Sequence, residues 1–241
     1  MVEMIVAMVL SALALTGAYR LWKFQQTQSL RIQNAIEARN QLALSSNLLS
    51  KSITLAGYGM NDIPGMVKSD EEGSDTLIIY SNPDEAVSTL ESDYTSDHSN
   101  TQVRVVDGSM FSTCAFVGVT DGVHGEVRKV ASYSSGRVRM TESLSYNYSM
   151  SNTRVYPIVR EKYYSDQASK YLIRMVNDQS QTIGEQVRNF QVSFRDKNGV
   201  STESLPNTRN VFYSVTGDYA PIQGTINSII YTNTAVPRNL L

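Results

Sequence analysis

Of 241 residues, one is cysteine (Cys114), one is tryptophan and two are histidine. A single thiol excludes an intrachain disulfide and a cysteine-based metal cage, and it leaves the redox compartment open. His98 and His124 lie in separate polar stretches, and neither stands at HExxH or other metal-ligand spacing. Both read as solvated surface residues. No GxSxG, Walker or GxGxxG pattern occurs, so hydrolase and nucleotide chemistry have no foothold. Neither charge sign dominates: 21 basic and 23 acidic residues leave a net charge of −2, without the basic footprint of a nucleic-acid binder. The expectation is a protein with no catalytic residues, no cofactor and no metal.

Two local absences carry more information. No charged residue occurs between Glu3 and Arg20, and neither proline nor glycine occurs between Leu21 and Ala56. Met4 to Tyr19 gives 16 uncharged residues, about 24 Å of helix. Met1 and Val2 in front, and Leu21, Trp22 and Phe24 behind, extend the run to spanning length. Met4, Ile5, Val6, Ala7, Met8, Val9, Leu10, Ala12, Leu13 and Leu15 are its apolar body. Tyr19 and Trp22 sit where interfacial aromatics belong, with Arg20 and Lys23 able to snorkel. A cleaved signal peptide is disfavoured: basic residues are missing at the start, no small-x-small site follows, and a helical pattern continues.

In that continuation Ala35, Ala38, Leu42, Ser45, Leu49, Ile53 and Ala56 recur at steps of three and four, one face of a helix. Arg31, Glu37, Arg39 and Lys51 fall largely off the stripe. Its small residues suit a helix that docks on a domain or on copies of itself. Gly57 and Gly59 stop it. The chain divides into a membrane or filament-core half-helix (1–24), an amphipathic half-helix (25–56) and a β-rich head (57–241). Thr16-Gly17 is the weakest step of the apolar half, since glycine costs a helix about 1 kcal/mol relative to alanine.

Beyond Gly59 the texture becomes short β-type runs: 76–80, 103–106, 114–119, 126–132, 137–140, 170–176, 190–194, 210–215 and 225–231. Asp107-Gly108, Asp121-Gly122 and Asn198-Gly199 read as hairpin turns. No helix-length spacers separate the runs, so the sheet is expected to be mainly antiparallel and the fold α+β. Residues 82–102 read as an exposed excursion, with Tyr94 the lone aromatic candidate for ligand contact. "SDEEGSD" (69–75) reads as an exposed acidic loop, its oxygens off EF-hand spacing. Cys114, between Phe111 and Phe116, reads as a small buried hydrophobe in a strand. Strand propensity accounts for the 14 tyrosines.

An acid at the lip of an apolar helix, an unbroken amphipathic continuation and a β-rich head resemble type IV pilins and type II secretion pseudopilins. "LAGYG" (55–59), "EEGSDTLIIY" (71–80), "YLIRMVNDQSQTIGEQVRNFQVSFRDKNG" (171–199), "LPNTRNVFYSV" (205–215) and "TNTAVPRNL" (232–240) look like the large minor pilins of the PilW-like group, with the J-type minor pseudopilin as a cousin. The resemblance implies a pilin fold. It also implies partners: other pilin or pseudopilin subunits in a helical filament, the inner membrane before assembly, and a prepilin peptidase. Mature pilins of this kind begin with an N-methylated Phe and carry Glu fifth, whereas here Glu is third. Either a leader and two residues precede the sequence given, or the processing signal is unusual. Taken alone, Arg20 and Lys23 after the span would hold the head in the cytoplasm; the resemblance implies the reverse, with a basic leader supplying the cytoplasmic charge. The implied location is the bacterial inner membrane, head outside the cytoplasm, and then a pilus or a periplasmic pseudopilus.

For Glu3 the resemblance implies a partner: the N-terminal ammonium of a neighbouring subunit. An intramembrane acid costs about 2.5–3.5 kcal/mol at a helix centre and less near the interface; a counter-charge on another copy offsets this. The alternative is an interfacial acid facing water. A non-enzymatic filament subunit, a minor pilin that primes or tips assembly, is the first functional reading. The principal pilin of a filament, a membrane-anchored adhesin or ligand-binding module, and a single-pass enzyme are the others.

Overall fold

Helix α1 runs unbroken through Val2–Thr54 in a computed structural model that describes residues 2–60, 62–71, 74–203, 208–219 and 227–237, the side chains of 70, 71 and 227 excepted. Met1, residues 72–73, positions 225–226 of the last expected strand, and parts 205–207 and 238–240 of the resembling stretches lie outside it. Without proline, and with its only interior glycine at Gly17, nothing in α1 removes a donor or crowds a carbonyl. The helix ends where Gly57 and Gly59 take left-handed φ of 73° and 67°, conformations glycine adopts without steric cost. The released chain is then tied down, Gly57 N–H donating to Tyr80 O at 2.9 Å.

The head is mainly antiparallel. Its first strands are β1 (Met66–Glu71), β2 (Ser74–Ser81), β3 (Ser88–Thr89) and β4 (Gln102–Arg104). β5 (Phe116–Thr120), β6 (Gly125–Ser134), β7 (Arg137–Met140) and β8 (Arg154–Asp166) follow. β9 (Tyr171–Val176), β10 (Gln179–Gly184), β11 (Val187–Arg195), β12 (Asn210–Tyr219) and β13 (Asn227–Ala235) complete the order. Ten form one sheet, ordered β1-β2-β8-β5-β6-β7-β4, with β9 and β10 continuing from β8 and β3 beside its start. β11-β12-β13 form a second sheet.

β8 organises the head. Its first residues pair with β5 on one edge and β3 on the other; from Val159 onward its partners are β2 and β9. One strand thus belongs to a lobe beside the helix and to an outer lobe built from β3 to β7. The sequence reading places no strand at 154–166. Pro157 argues against a central strand, and Arg160-Glu161-Lys162 interrupts the apolar pattern. The structure nevertheless sets Pro157 opposite Val117, and both Glu161 and Arg160 have partners inside the head.

Each lobe has its own core. Beside the helix, Leu42, Leu49, Ile53 and Ala56 of α1 pack with Met66, Leu77, Ile79, Tyr163, Leu172, Phe190, Val211, Tyr213 and Val215. The outer lobe buries Leu90, Tyr94, Val103, Phe111, Val117, Val138, Leu144, Tyr148 and Val155. Met60, Ile63, Phe116, Tyr156 and Ile158 cluster separately. Residues 82–102 are mostly exposed, as expected, but the segment is pinned to the head: Leu90 and Tyr94 are buried in the outer core and bridged to Val105 and Tyr148. Asp107-Gly108 leads into a 3-10 turn at Ser109–Phe111 rather than a hairpin. Asp121-Gly122 does close the β5–β6 hairpin, Gly122 at φ 88°.

Candidate functional site

The apolar half of α1 leaves the head behind. Val2, Met4, Ile5, Val6, Met8, Val9, Leu10, Leu13 and Leu15 are all more than half exposed, and the best 18-residue window has mean hydropathy 1.8 with none of it covered by the head. A helix apolar on every side needs a bilayer or other helices around it. Glu3 stands in the first turn of this span, exposed and without a hydrogen bond or ion pair among the described residues. Thr16 Oγ1 donates to Ala12 O at 2.7 Å, and α1 is continuous through Thr16-Gly17. A Cβ on Gly17 would meet nothing within 4 Å.

The head grips only the far end. Leu42, Ser45, Ser46, Leu49, Ser52 and Ile53 are the buried residues of α1; four of them belong to the expected stripe, Ser46 and Ser52 widen it, and Ala35 and Ala38 of that stripe are only half-buried. Three of the six are serines, and each hydroxyl is satisfied by the head. Ser45 Oγ bonds Ile183 O. Ser46 Oγ lies 2.8 Å from Tyr213 OH, which donates to Ser46 O at 2.8 Å. Ser52 Oγ donates to Glu161 Oε2 at 2.6 Å and lies 2.8 Å from Tyr163 OH. Close approach permits these bonds: a Cβ on Gly217 would sit 2.9 Å from Leu42 Cδ1, and one on Gly184 3.1 Å from Ser45 Oγ.

Glu161 is the electrostatic centre of this grip. Arg174 Nη2 donates to Oε1 at 2.8 Å and Nε to Oε2 at 3.1 Å, while Tyr163 OH donates to Oε2 at 2.8 Å. Its side chain is 16% exposed and that of Arg174 25%. Burial by itself pushes the carboxyl upward; bonds from Arg174, Ser52 and Tyr163 outweigh it and hold the group below the ordinary carboxylate range. One carboxylate thereby ties α1, β8 and β9 together.

A second tie joins the two sheets. Ser74 Oγ donates to Phe190 O at 3.2 Å and accepts from Phe190 N at 3.4 Å. Val192 N–H donates to Asp75 Oδ2 at 2.5 Å, and Lys68 Nζ lies 3.1 Å from the same oxygen. Side chains of β2 thus substitute for a neighbouring strand along the edge of β11. The described residues of the "SDEEGSD" stretch therefore belong to the paired strands β1 and β2 rather than to a loop. In the outer lobe Glu126 plays a similar part, accepting from Arg128 Nη2 (2.5 Å), Ser145 N (2.9 Å), Tyr146 N (3.2 Å) and Tyr148 OH (3.0 Å). No local pattern announces these acids, because most of their partners, such as Arg174 and Ser52 for Glu161 or Ser145, Tyr146 and Tyr148 for Glu126, come from other stretches of the chain.

The remaining expected residues are quickly placed. Tyr94 is buried, donating to Asn100 O at 2.6 Å and accepting from Leu144 N at 3.0 Å, so it offers no surface to a ligand. His124 is not simply solvated: it stacks on Tyr146 at 4.1 Å with Nδ1 3.2 Å from Asp121 Oδ2. His98 is exposed. Cys114 lies just ahead of β5, half-buried, with Sγ 3.5 Å from Phe111 O; burial pushes its thiol up to about 11. Among the described residues no group of three His, Cys, Asp or Glu side chains is arranged to hold a metal ion.

The molecule is thus an α+β protein in which one long N-terminal helix, long and apolar enough to cross a membrane, packs by its second half on a mainly antiparallel head. That architecture is compatible with a pilin-like fold. In comparisons with known proteins the chain matches no family model and no curated protein.

Proposed function

We propose that the chain is a non-enzymatic structural subunit of a type IV pilus or a related secretion pseudopilus, in the position of a minor pilin that primes or tips the filament. One observation carries the reading: the first half of α1 is apolar on all sides and uncovered, while the head is anchored to the second half through a dedicated, fully bonded interface. In the inner membrane the bilayer covers the apolar half, with the head on the non-cytoplasmic side; in the filament the helices of neighbouring subunits cover it. Glu3 then pairs with the N-terminal ammonium of a neighbour, which offsets the cost of a membrane-embedded carboxylate and sets the axial step. Thr16-Gly17 is where the helix would stretch on that transfer.

The test is Glu3→Ala in the full-length chain, followed by immunodetection in sheared surface material and in membranes. The variant is expected to keep its head folded, remain in the membrane fraction and fail to join its neighbours. Normal incorporation would defeat the role. The mass of the native N-terminus tests processing: a methylated amine upstream of Glu3 supports the reading, and an intact signal-anchor opposes it. A second reading, a membrane-anchored ligand-binding module, draws on the outer lobe, which has a core of its own; glycan or matrix binding lost on removing that lobe would favour it.

A further inference from the structure

Where α1 leaves the head, a cleft of about 290 Å³ opens between Glu37 and Gln41 of the helix and Glu185, Gln186 and Asp218 of the head. Three of these five are carboxylates, and no cation stands among the described residues lining the cleft. Asp218 is only 7% exposed, fixed by its backbone N–H to Gln186 O at 2.7 Å. Its Oδ1 is buried and accepts no hydrogen bond. Lys170 Nζ stands 3.8 Å from Oδ2, beyond hydrogen-bond reach. Buried carboxylates ordinarily gather several donors, as Glu161 and Glu126 do in this chain. Asp218, beside an acidic opening, is thus left with the single long ion pair to Lys170 and a buried oxygen that accepts no hydrogen bond.

The complementary charge is on α1. Arg20 and Lys23 project from the part of the helix that the head leaves bare. No acid occurs between Glu3 and Glu37, so neither base has an acidic neighbour within a helical turn. They cannot reach the cleft of their own chain, because Lys23 precedes Glu37 by 14 residues, about 21 Å of helix. A parallel copy displaced by about that length sets them level with it. The described carboxylates are not arranged to hold a metal ion, whereas a long cationic side chain can enter from outside.

We infer that the cleft around Asp218 receives the Arg20–Lys23 stretch of a second copy of this chain. The inference rests on the filament-subunit reading and adds a contact between head and helix. Two full-length chains in a Cys114→Ser background, one with Lys23→Cys and the other with Glu185→Cys, are co-produced in membranes and treated with a bis-maleimide. A heterodimeric cross-link is expected from this pair and not from Lys23→Cys with Arg104→Cys on the outer lobe. Asp218→Asn should remove that cross-link while circular dichroism of the head is unchanged. A chain with Glu37→Lys and Glu185→Lys should lose self-association and regain it with a partner carrying Arg20→Glu and Lys23→Glu. Absence of the cross-link in chains that still associate through Glu3 overturns the inference and leaves the proposed function standing; chains that never associate overturn both. Magnesium or calcium chloride raising the melting midpoint of the solubilised monomer, but not of Asp218→Asn, also overturns it by assigning the cleft to an inorganic cation.

Discussion

Replacing Arg174 by methionine tests whether the Glu161 network fastens the helix to the head. Methionine keeps most of the aliphatic volume but removes both donors, at 2.8 and 3.1 Å, leaving a carboxylate 16% exposed with only the Ser52 and Tyr163 hydroxyls. Breaking a fully buried pair costs about 3–5 kcal/mol, and an exposed pair about 0–1 kcal/mol. Partial exposure of both groups places this case at about 2–3 kcal/mol. In Arg174→Met/Glu161→Gln no charge is orphaned, so the double variant should be more stable than Arg174→Met alone. The pH dependence follows from the depressed carboxyl of Glu161. In the wild type its stabilisation is complete above the unfolded-state value of about 4.3 and is lost as pH falls through the lower folded value. In Arg174→Met burial remains without the guanidinium, the folded value rises above the unfolded one, and acidification narrows the gap between variant and wild type. Urea titrations of the full chain in detergent, followed by near-ultraviolet circular dichroism of the tyrosines, measure this. A loss below about 0.5 kcal/mol, or a double variant less stable than Arg174→Met, would refute the reasoning.

Three further outcomes are expected. Gly217→Ala places a methyl 2.9 Å from Leu42 Cδ1 and should destabilise the head by about 1–3 kcal/mol, with faster hydrogen exchange confined to the end of α1 and β12; unchanged exchange would contradict the close approach. Asp75→Ala removes the acceptor of Val192 N–H and the partner of Lys68, and should cost about 1–3 kcal/mol in the same urea titration, whereas Asp84→Ala in the β2–β3 turn should stay within about 0.5 kcal/mol. Cys114, its thiol held up near 11 by burial, should resist maleimide at about pH 7 in the folded chain and react once urea unfolds the head; rapid labelling of the native protein would place the thiol elsewhere.

Much of α1 was legible because its signals are local. A charge-free run, a proline-free continuation and a small-residue stripe at helical spacing act within a few turns, and two glycines end the helix by backbone conformation alone. The same holds for strands such as 137–140, where alternation and a flanking turn coincide, and residues 137–140 form β7 as expected. Signals failed where long-range partners decide. Pro157 and the charged triplet of β8 hide the strand that joins the lobes, since what makes them tolerable there is Val117 across the strand and Arg174 and Asp178 from later in the chain. The polar composition of 82–102 hides Leu90 and Tyr94, whose burial depends on partners as remote in the chain as Tyr148 and Val155.

By itself, then, the sequence determined an exposed apolar half-helix with an acid at its lip, the face by which the other half docks, and the α+β class, because each follows from periodicity and side-chain chemistry over short distances. Only the tertiary structure decided how the head is built: two lobes strung on β8, serine hydroxyls and the Glu161 carboxylate fastening the helix, Ser74 and Asp75 closing the edge of β11, and Asp218 left without a donor beside Glu37. Those arrangements arise when chain folding brings remote groups into hydrogen-bond range, and no spacing along the sequence encodes them.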